Sequence, residues 1–215
     1  MRPARAAPND ISCNAAISAC ASGAQWVRAL DLLKNMPETG IQLQVISYNA
    51  AITAGARCGQ WRVSLFLLGS MAEARLAADK ISYNAVLGAC EHDGGVWELA
   101  LAMLAGMSFG RLVANEISYT AAISACAKAA QWQSALALLS QMLKLSLAGS
   151  SMRGYNAALS ACDVAGEHRR VLQLLERMPE VRLQADMLGY SAAVGASCKA
   201  RLAGGLPDLL SATAS

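Results

Sequence analysis

A short peptide ending at Asn14, Asn49, Asn84, Thr120, Asn156 and Ser191 recurs along this chain at steps of 35, 35, 36, 36 and 35 residues. Two further columns keep the same beat: Trp26, Trp61, Trp97 and Trp132, and Met36, Met71, Met107, Met142 and Met178. A fixed period of this size marks stacked supersecondary units, none of which can bury its apolar face alone. The 215 residues therefore read as one array of five units and an incomplete sixth, and any function belongs to a surface made by repetition.

Each unit reads as a helical hairpin. In the first, a helix is predicted over 11 to 22 with Ala16, Ile17 and Cys20 on one face, then a break at Gly23 and Ala24. A second helix follows from 25 to 36, with Trp26, Ala29, Leu30, Leu33 and Met36 at three-to-four-residue spacing. Pro37 and Gly40 are expected to stop it. The boundaries that follow are a segment over 1–9, repeats at 10–44, 45–79, 80–115, 116–151 and 152–186, and an incomplete repeat with a tail over 187–215. An extra residue between His92 and Val96 delays Trp97, and His168 takes the tryptophan slot of the fifth unit. The tryptophan and methionine columns are expected in the packed core.

Apolar residues make up 55% of the chain, but no run approaches the roughly 18 apolar residues of a membrane span. The net charge is +3, from 18 Lys and Arg against 15 Asp and Glu, so no polybasic tail announces a partner. The opening segment carries Arg2 and Arg5 without an acid, yet is expected to be too short for a transit peptide. Cys20, Cys90, Cys126 and Cys162 share one slot, filled by Gly55 and Ser197 elsewhere. Neighbouring slots would stand about 8 to 10 Å apart, too far to share a zinc ion, so these cysteines read as small buried hydrophobes. The absence of Cys-x-x-Cys pairs suits a reducing compartment.

The peptides Ile46-Ser47-Tyr48-Asn49, Ile81-Ser82-Tyr83-Asn84 and Ile117-Ser118-Tyr119-Thr120, each leading one hairpin later to a methionine, resemble the pentatricopeptide repeat. A tetratricopeptide array has a shorter period and places its tryptophan early in the first helix, whereas here tryptophan opens the second. The resemblance runs from about Asp10 to Lys199 and implies an all-α right-handed α-solenoid superhelix that binds single-stranded RNA, one base per repeat. It also implies a role in organellar RNA processing, in a mitochondrion or chloroplast, with protein partners supplying any catalysis.

Carried over by position, the resemblance makes Asn14, Asn49, Asn84, Thr120, Asn156 and Ser191 the base-reading column, and Gln44, Asp79, Asn115, Ser151 and Asp186 the partners of the first five. By the family's pairing habits Asn49 with Asp79, and Asn156 with Asp186, read uracil. Asn84 with Asn115 reads a pyrimidine with a preference for cytosine, Asn14 with Gln44 a pyrimidine, and Thr120 with Ser151 leans toward purine. Three residues before each reader, Ile11, Ile46, Ile81, Ile117 and Leu188 would sandwich the bases, with Arg153 as the departure in unit five. Eight residues after the reader, Arg57, Lys128 and Lys199 would approach phosphates. Asp79, Asn115 and Asp186 also stand where N-caps are expected, and a cap alone could explain them. Asn inside a helix has no such excuse.

No zinc-deaminase signature, phosphate loop or nucleophile elbow is present, so no enzyme and no cofactor is expected. Gly204, Gly205 and Pro207 break the next expected helix, as in a decaying array. The competing reading is a helical-repeat scaffold that binds a peptide.

Overall fold

The computed structural model describes residues 9–145 and 152–178 together with Ser191 and Gly195. They form two compact units, Met1–Ala114 and Asn115–Ser215. The first holds α1 (Asp10–Ser22), α2 (Trp26–Glu38), α3 (Val45–Arg57), α4 (Trp61–Glu73), α5 (Lys80–Cys90) and α6 (Trp97–Phe109). The second holds α7 (Glu116–Lys128), α8 (Trp132–Lys144), α9 (Met152–Val164) and α10 (His168–Arg177). Within each unit first helices stack on first helices, α1 on α3 on α5 and α7 on α9, while each second helix wedges against the first helices around it. The fold is an all-α helical-repeat solenoid. Apart from Ser191 and Gly195, the sixth unit and tail lie outside the described residues.

The period is enforced by how helices stop. At the end of α3 the Gln60 N–H reaches back to the Gly55 carbonyl (2.9 Å) and the Gly59 N–H to that of Ala56 (3.0 Å), with Gly59 in the left-handed region at φ +68°. This paired closure satisfies orphan carbonyls and turns the chain sharply. It recurs after α1 and α7, where Ala24 and Ala130 take the left-handed conformation at a cost of about 1 kcal/mol each. Second helices end the same way: the N–H groups of Ile41, Leu76 and Leu112 bond the carbonyls of Met36, Met71 and Met107 at 2.9, 2.8 and 2.8 Å. Met36, Met71 and Met107 are thus each the third residue from a helix end and fully buried, and the N–H that closes each turn belongs to an apolar residue five positions on. Pro37 does not stop α2, which runs through it to Glu38; the missing N–H falls in the last turn, and the left-handed residue is Gly40. The extra residue before Trp97 is absorbed in a 3-10 turn, Gly94–Val96.

The tryptophans depart from the core expectation. All four open a second helix and are half-buried, whereas the methionines are sealed. An indole carries an N–H that needs a partner, so it settles at the edge of the packed layer. Trp61 Nε1 donates to Asp93 in the next hairpin turn (3.2 Å) and the Arg62 guanidinium lies 4.8 Å over the ring. Trp132 has Arg170 over its ring at 5.8 Å. The cysteine slot does follow its expectation in three units: burial pushes the thiols of Cys90, Cys126 and Cys162 up to about 11, leaving them protonated and inert at neutral pH. Cys20 is only half-buried.

Gly55 occupies that slot because its neighbour differs. The position facing it is Ala29, Ala100 or Ala135 in other units and Ser64 here, whose buried hydroxyl donates to the Ile52 carbonyl at 3.2 Å. A Cβ on Gly55 would stand 2.9 Å from Ser64 Oγ. Glycine and serine have exchanged volume with cysteine and alanine. Gly55→Ala alone should destabilise by about 1 to 3 kcal/mol through overpacking, and Ser64→Ala should restore most of it. A double-mutant cycle by urea unfolding checks this, and strict additivity would refute the volume exchange.

Candidate nucleic-acid interface

Each described first helix carries one reader position a turn inside its start, and on α1, α5 and α7 the residue just before the helix caps it. Asp79 Oδ1 accepts from the Ser82 N–H at 2.9 Å while the Asp79 N–H donates to Ser82 Oγ at 3.1 Å, a reciprocal cap on α5. Asn115 and Ser118 close the same box on α7, both bonds at 3.1 Å, and Asn9 with Ser12 does so on α1. On α3 the Gln44 N–H reaches Ser47 Oγ at 3.4 Å. Asp79 and Asn115 are therefore caps, as their sequence positions suggested.

Around Asn49 the cap also does something else. Asn49 Nδ2 donates to Asp79 Oδ1 at 3.1 Å, and Ser82 Oγ donates to Asn49 Oδ1 at 2.6 Å, also lying 3.0 Å from Asp79 Oδ1. An ionised carboxylate only accepts, so the amide nitrogen must face Asp79 and the oxygen must face the serine. The side chain is 7% exposed but not sealed. It lines an open recess of about 360 Å³ together with Ile46, Ile81, Arg57, Ser18 and Thr53. Three kinds of residue expected from the sequence at one base position, reader, sandwiching isoleucines and cation, meet here.

The other positions are placed as follows. Ile11, Ile46, Ile81 and Ile117 are exposed at 73, 62, 61 and 63%, an apolar residue held out in water on every first helix that carries it. Asn14, Asn84, Thr120 and Asn156 are half-buried on α1, α5, α7 and α9; Ser191 is helical and exposed. Asn14 Oδ1 and Thr120 Oγ1 are buried and have no hydrogen-bond partner among the described residues. Native proteins rarely leave such atoms unpaired without a water or ligand to meet them. Gln44 is exposed and forms no hydrogen bond to Asn14. Arg57 and Lys128 end α3 and α7 and are exposed, as is Arg153. Ser151, Asp186, Leu188 and Lys199 lie outside the described residues. Ser82 was not singled out in the sequence; its signal was the serine two places before the reader in the first four units. Among the described residues no cluster of three or more His, Cys, Asp or Glu could hold a metal, and no helix is long and apolar enough to cross a membrane.

Burial alone would raise the Asp79 carboxyl, but hydrogen bonds from the Ser82 amide and hydroxyl, the Asn49 amide and the Ile81 amide outweigh it and hold the group below its ordinary value of 3.8. A depressed folded value adds stability that is present above the unfolded value and lost as pH falls through the folded one. Asp79→Asn should therefore lose less stability than the wild type between about pH 4 and pH 2. Urea midpoints across that range read the difference; parallel acid limbs would mean that Asp79 is not held by these bonds.

Models of known families match most of this described array. A pentatricopeptide repeat domain model matches 31–92, and a PPR repeat model matches 11–41 and 117–147. Comparison with curated protein sequences finds no match. Among solved structures, PPR10 in complex with an 18-nt psaJ RNA element is similar with TM-score 0.75 at 23% identity, over 93% of this chain and 29% of that one. PPR10 from maize gives TM-score 0.67 at 23% identity, over 90% and 27%. The PPR domain of Arabidopsis thaliana protein-only RNase P 1 in complex with tRNA gives 0.70 at 14% identity, over 85% and 95%. This chain thus spans under a third of the PPR10 chains it resembles, and these structures speak for the fold. With the family models covering more than half of its length, the chain belongs to the pentatricopeptide repeat family.

Proposed function

We propose that this chain binds single-stranded RNA with sequence selectivity, each repeat meeting one base through its first-helix reader. The observation that carries the reading is the Asn49 recess, where an amide of fixed orientation stands with two exposed isoleucines and a cation. An aliphatic side chain held in water is suited to a base face, an oriented amide to a base edge, and a guanidinium to phosphate. The orphaned polar atoms of Asn14 and Thr120 support the same reading, since a base edge would supply their missing partners. PPR10 and the RNase P domain were both solved with RNA, which agrees with it. The action proposed is occupancy in an organelle, by masking an RNA segment or remodelling a hairpin.

A second reading has its own observation. An apolar groove of about 370 Å³ runs between α2 and α4, lined by Leu30, Leu33, Leu43, Val63, Phe66 and Leu67, with Lys34 and Arg62 also on its wall. Phe66 is 71% exposed there, a surface better suited to a peptide than to a nucleotide. The two readings place the ligand on different helices.

Fluorescence anisotropy with a labelled oligonucleotide of the order pyrimidine, U, C, purine, U, set in a neutral single strand, separates them. The single strand should bind more tightly than its duplex, and binding should weaken as salt rises. Asn49→Ala should reduce it, while Phe66→Asp should leave it nearly unchanged. Equal affinity for duplex, or loss of RNA binding through Phe66 instead of Asn49, would contradict the proposal.

A further inference from the structure

The geometry points to Ser82 as a positioning residue for base selection in the repeat before its own: its hydroxyl, by bonding Asn49 Oδ1, fixes which edge of the Asn49 amide meets the RNA. This rests on the base-reading proposal and extends it to a residue outside the reader and partner columns.

Ser82 is fully buried and sits at the third position of α5. Its hydroxyl receives the Asp79 N–H at 3.1 Å and approaches Asn49 Oδ1 at 2.6 Å, the shortest of its bonds. A hydroxyl has one proton, and the shorter contact takes most of it. The planar Asn49 amide is therefore held at both ends, nitrogen by the Asp79 carboxylate and oxygen by the serine. One anchor leaves an amide free to swing about its last torsion; two anchors fix the plane.

Counting donors then decides what the recess offers. One N–H of Asn49 goes to Asp79, and one of the two lone pairs of its oxygen is taken by Ser82. The uncommitted donor is the second N–H. A site with a free N–H, and an oxygen whose accepting capacity Ser82 has halved, suits the carbonyl-bearing edge of uracil better than the exocyclic amine of cytosine, which needs an acceptor. The serine thus favours uracil without touching it.

The first and fourth repeats lack this bond, and in each a reader oxygen is without a partner. Ser47 occupies the equivalent place one repeat earlier, but faces Gln44 instead of an acid; it bonds the Gln44 N–H at 3.4 Å, and Asn14 Oδ1 stays without a partner. Gly154 occupies it on α9 and has no hydroxyl, and Thr120 Oγ1 is without a partner. In neither of these two repeats does a carboxylate before the helix stand with a hydroxyl three residues on, as Asp79 and Ser82 do.

The test compares binding of two short single-stranded RNAs that differ only by U or C at the base facing Asn49, using the full chain. One well-made base contact discriminates by about fivefold to about 150-fold. Ser82→Ala should reduce the U-over-C ratio at least about threefold, a fraction of that range, and Ser82→Thr, which keeps the hydroxyl, should restore it. Ser47→Ala removes the equivalent buried cap hydroxyl without a clamp, so it should cost folding stability and leave the ratio alone. Should Ser82→Ala fail to fold, Ser82→Cys keeps the volume with a weak donor and should show the same reduced ratio. A wild-type protein with no U-over-C preference would overturn base reading and the clamp together. A wild-type preference that survives Ser82→Ala, or that falls equally in Ser47→Ala, would overturn the clamp alone.

Discussion

No hairpin in this chain can bury its own apolar face, and every other feature depends on that constraint. Ile52 and Ala54 on α3 are sealed because α1 and α5 lie against that helix, and Met71 is sealed at the end of α4, which packs on both α3 and α5. Stacking first helix on first helix brings the start of one repeat beside the middle of the previous one. That single juxtaposition lets Asp79 and Ser82, which cap α5, also reach Asn49 on α3. Stability and the candidate recognition surface are therefore made by the same contact. A residue that begins a helix finishes its neighbour's site.

The economy has a chemical consequence. A cap must accept from helix N–H groups, and a carboxylate does so best when ionised, which the depressed Asp79 value ensures at neutral pH. The same negative charge orients a neighbouring amide. Gln44 closes a looser cap and leaves Asn14 without a partner, so the first repeat has the reader but not the arrangement that fixes it. Differences between repeats in how well they could select a base follow from this local chemistry rather than from the fold, which is common to all of them.

Much of the architecture was legible because periodicity records packing. The methionine column and the buried cysteines at 90, 126 and 162 lie where their spacing puts them, and the helix starts fall at the cap residues. The tryptophans misled because size and apolarity suggested a sealed core, while the indole N–H required a partner and drew Trp61 toward Asp93 at the edge. Pro37 misled because a proline in the last turn of a helix removes a donor without blocking the turn that follows. The isoleucines of the first helices were assigned to bases by resemblance; periodicity says only that they are off the core face, and their exposure above 60% agrees with that. Ser82 escaped notice because its importance is in a bond to another repeat, which no reading of a single unit can reveal.

The central claim is that the first-helix column selects bases, and Asn49 is where it can be tested most directly. By resemblance to the family, a threonine in place of this asparagine beside Asp79 would suit guanine, through a hydroxyl and a carboxylate that match its edge. Competition between two single-stranded RNAs differing only by U or G at that base, measured for wild type and Asn49→Thr, tests it. The account predicts a reversal of preference from U to G with the fold intact. An equal loss of affinity for both RNAs, or no change in either, would contradict it.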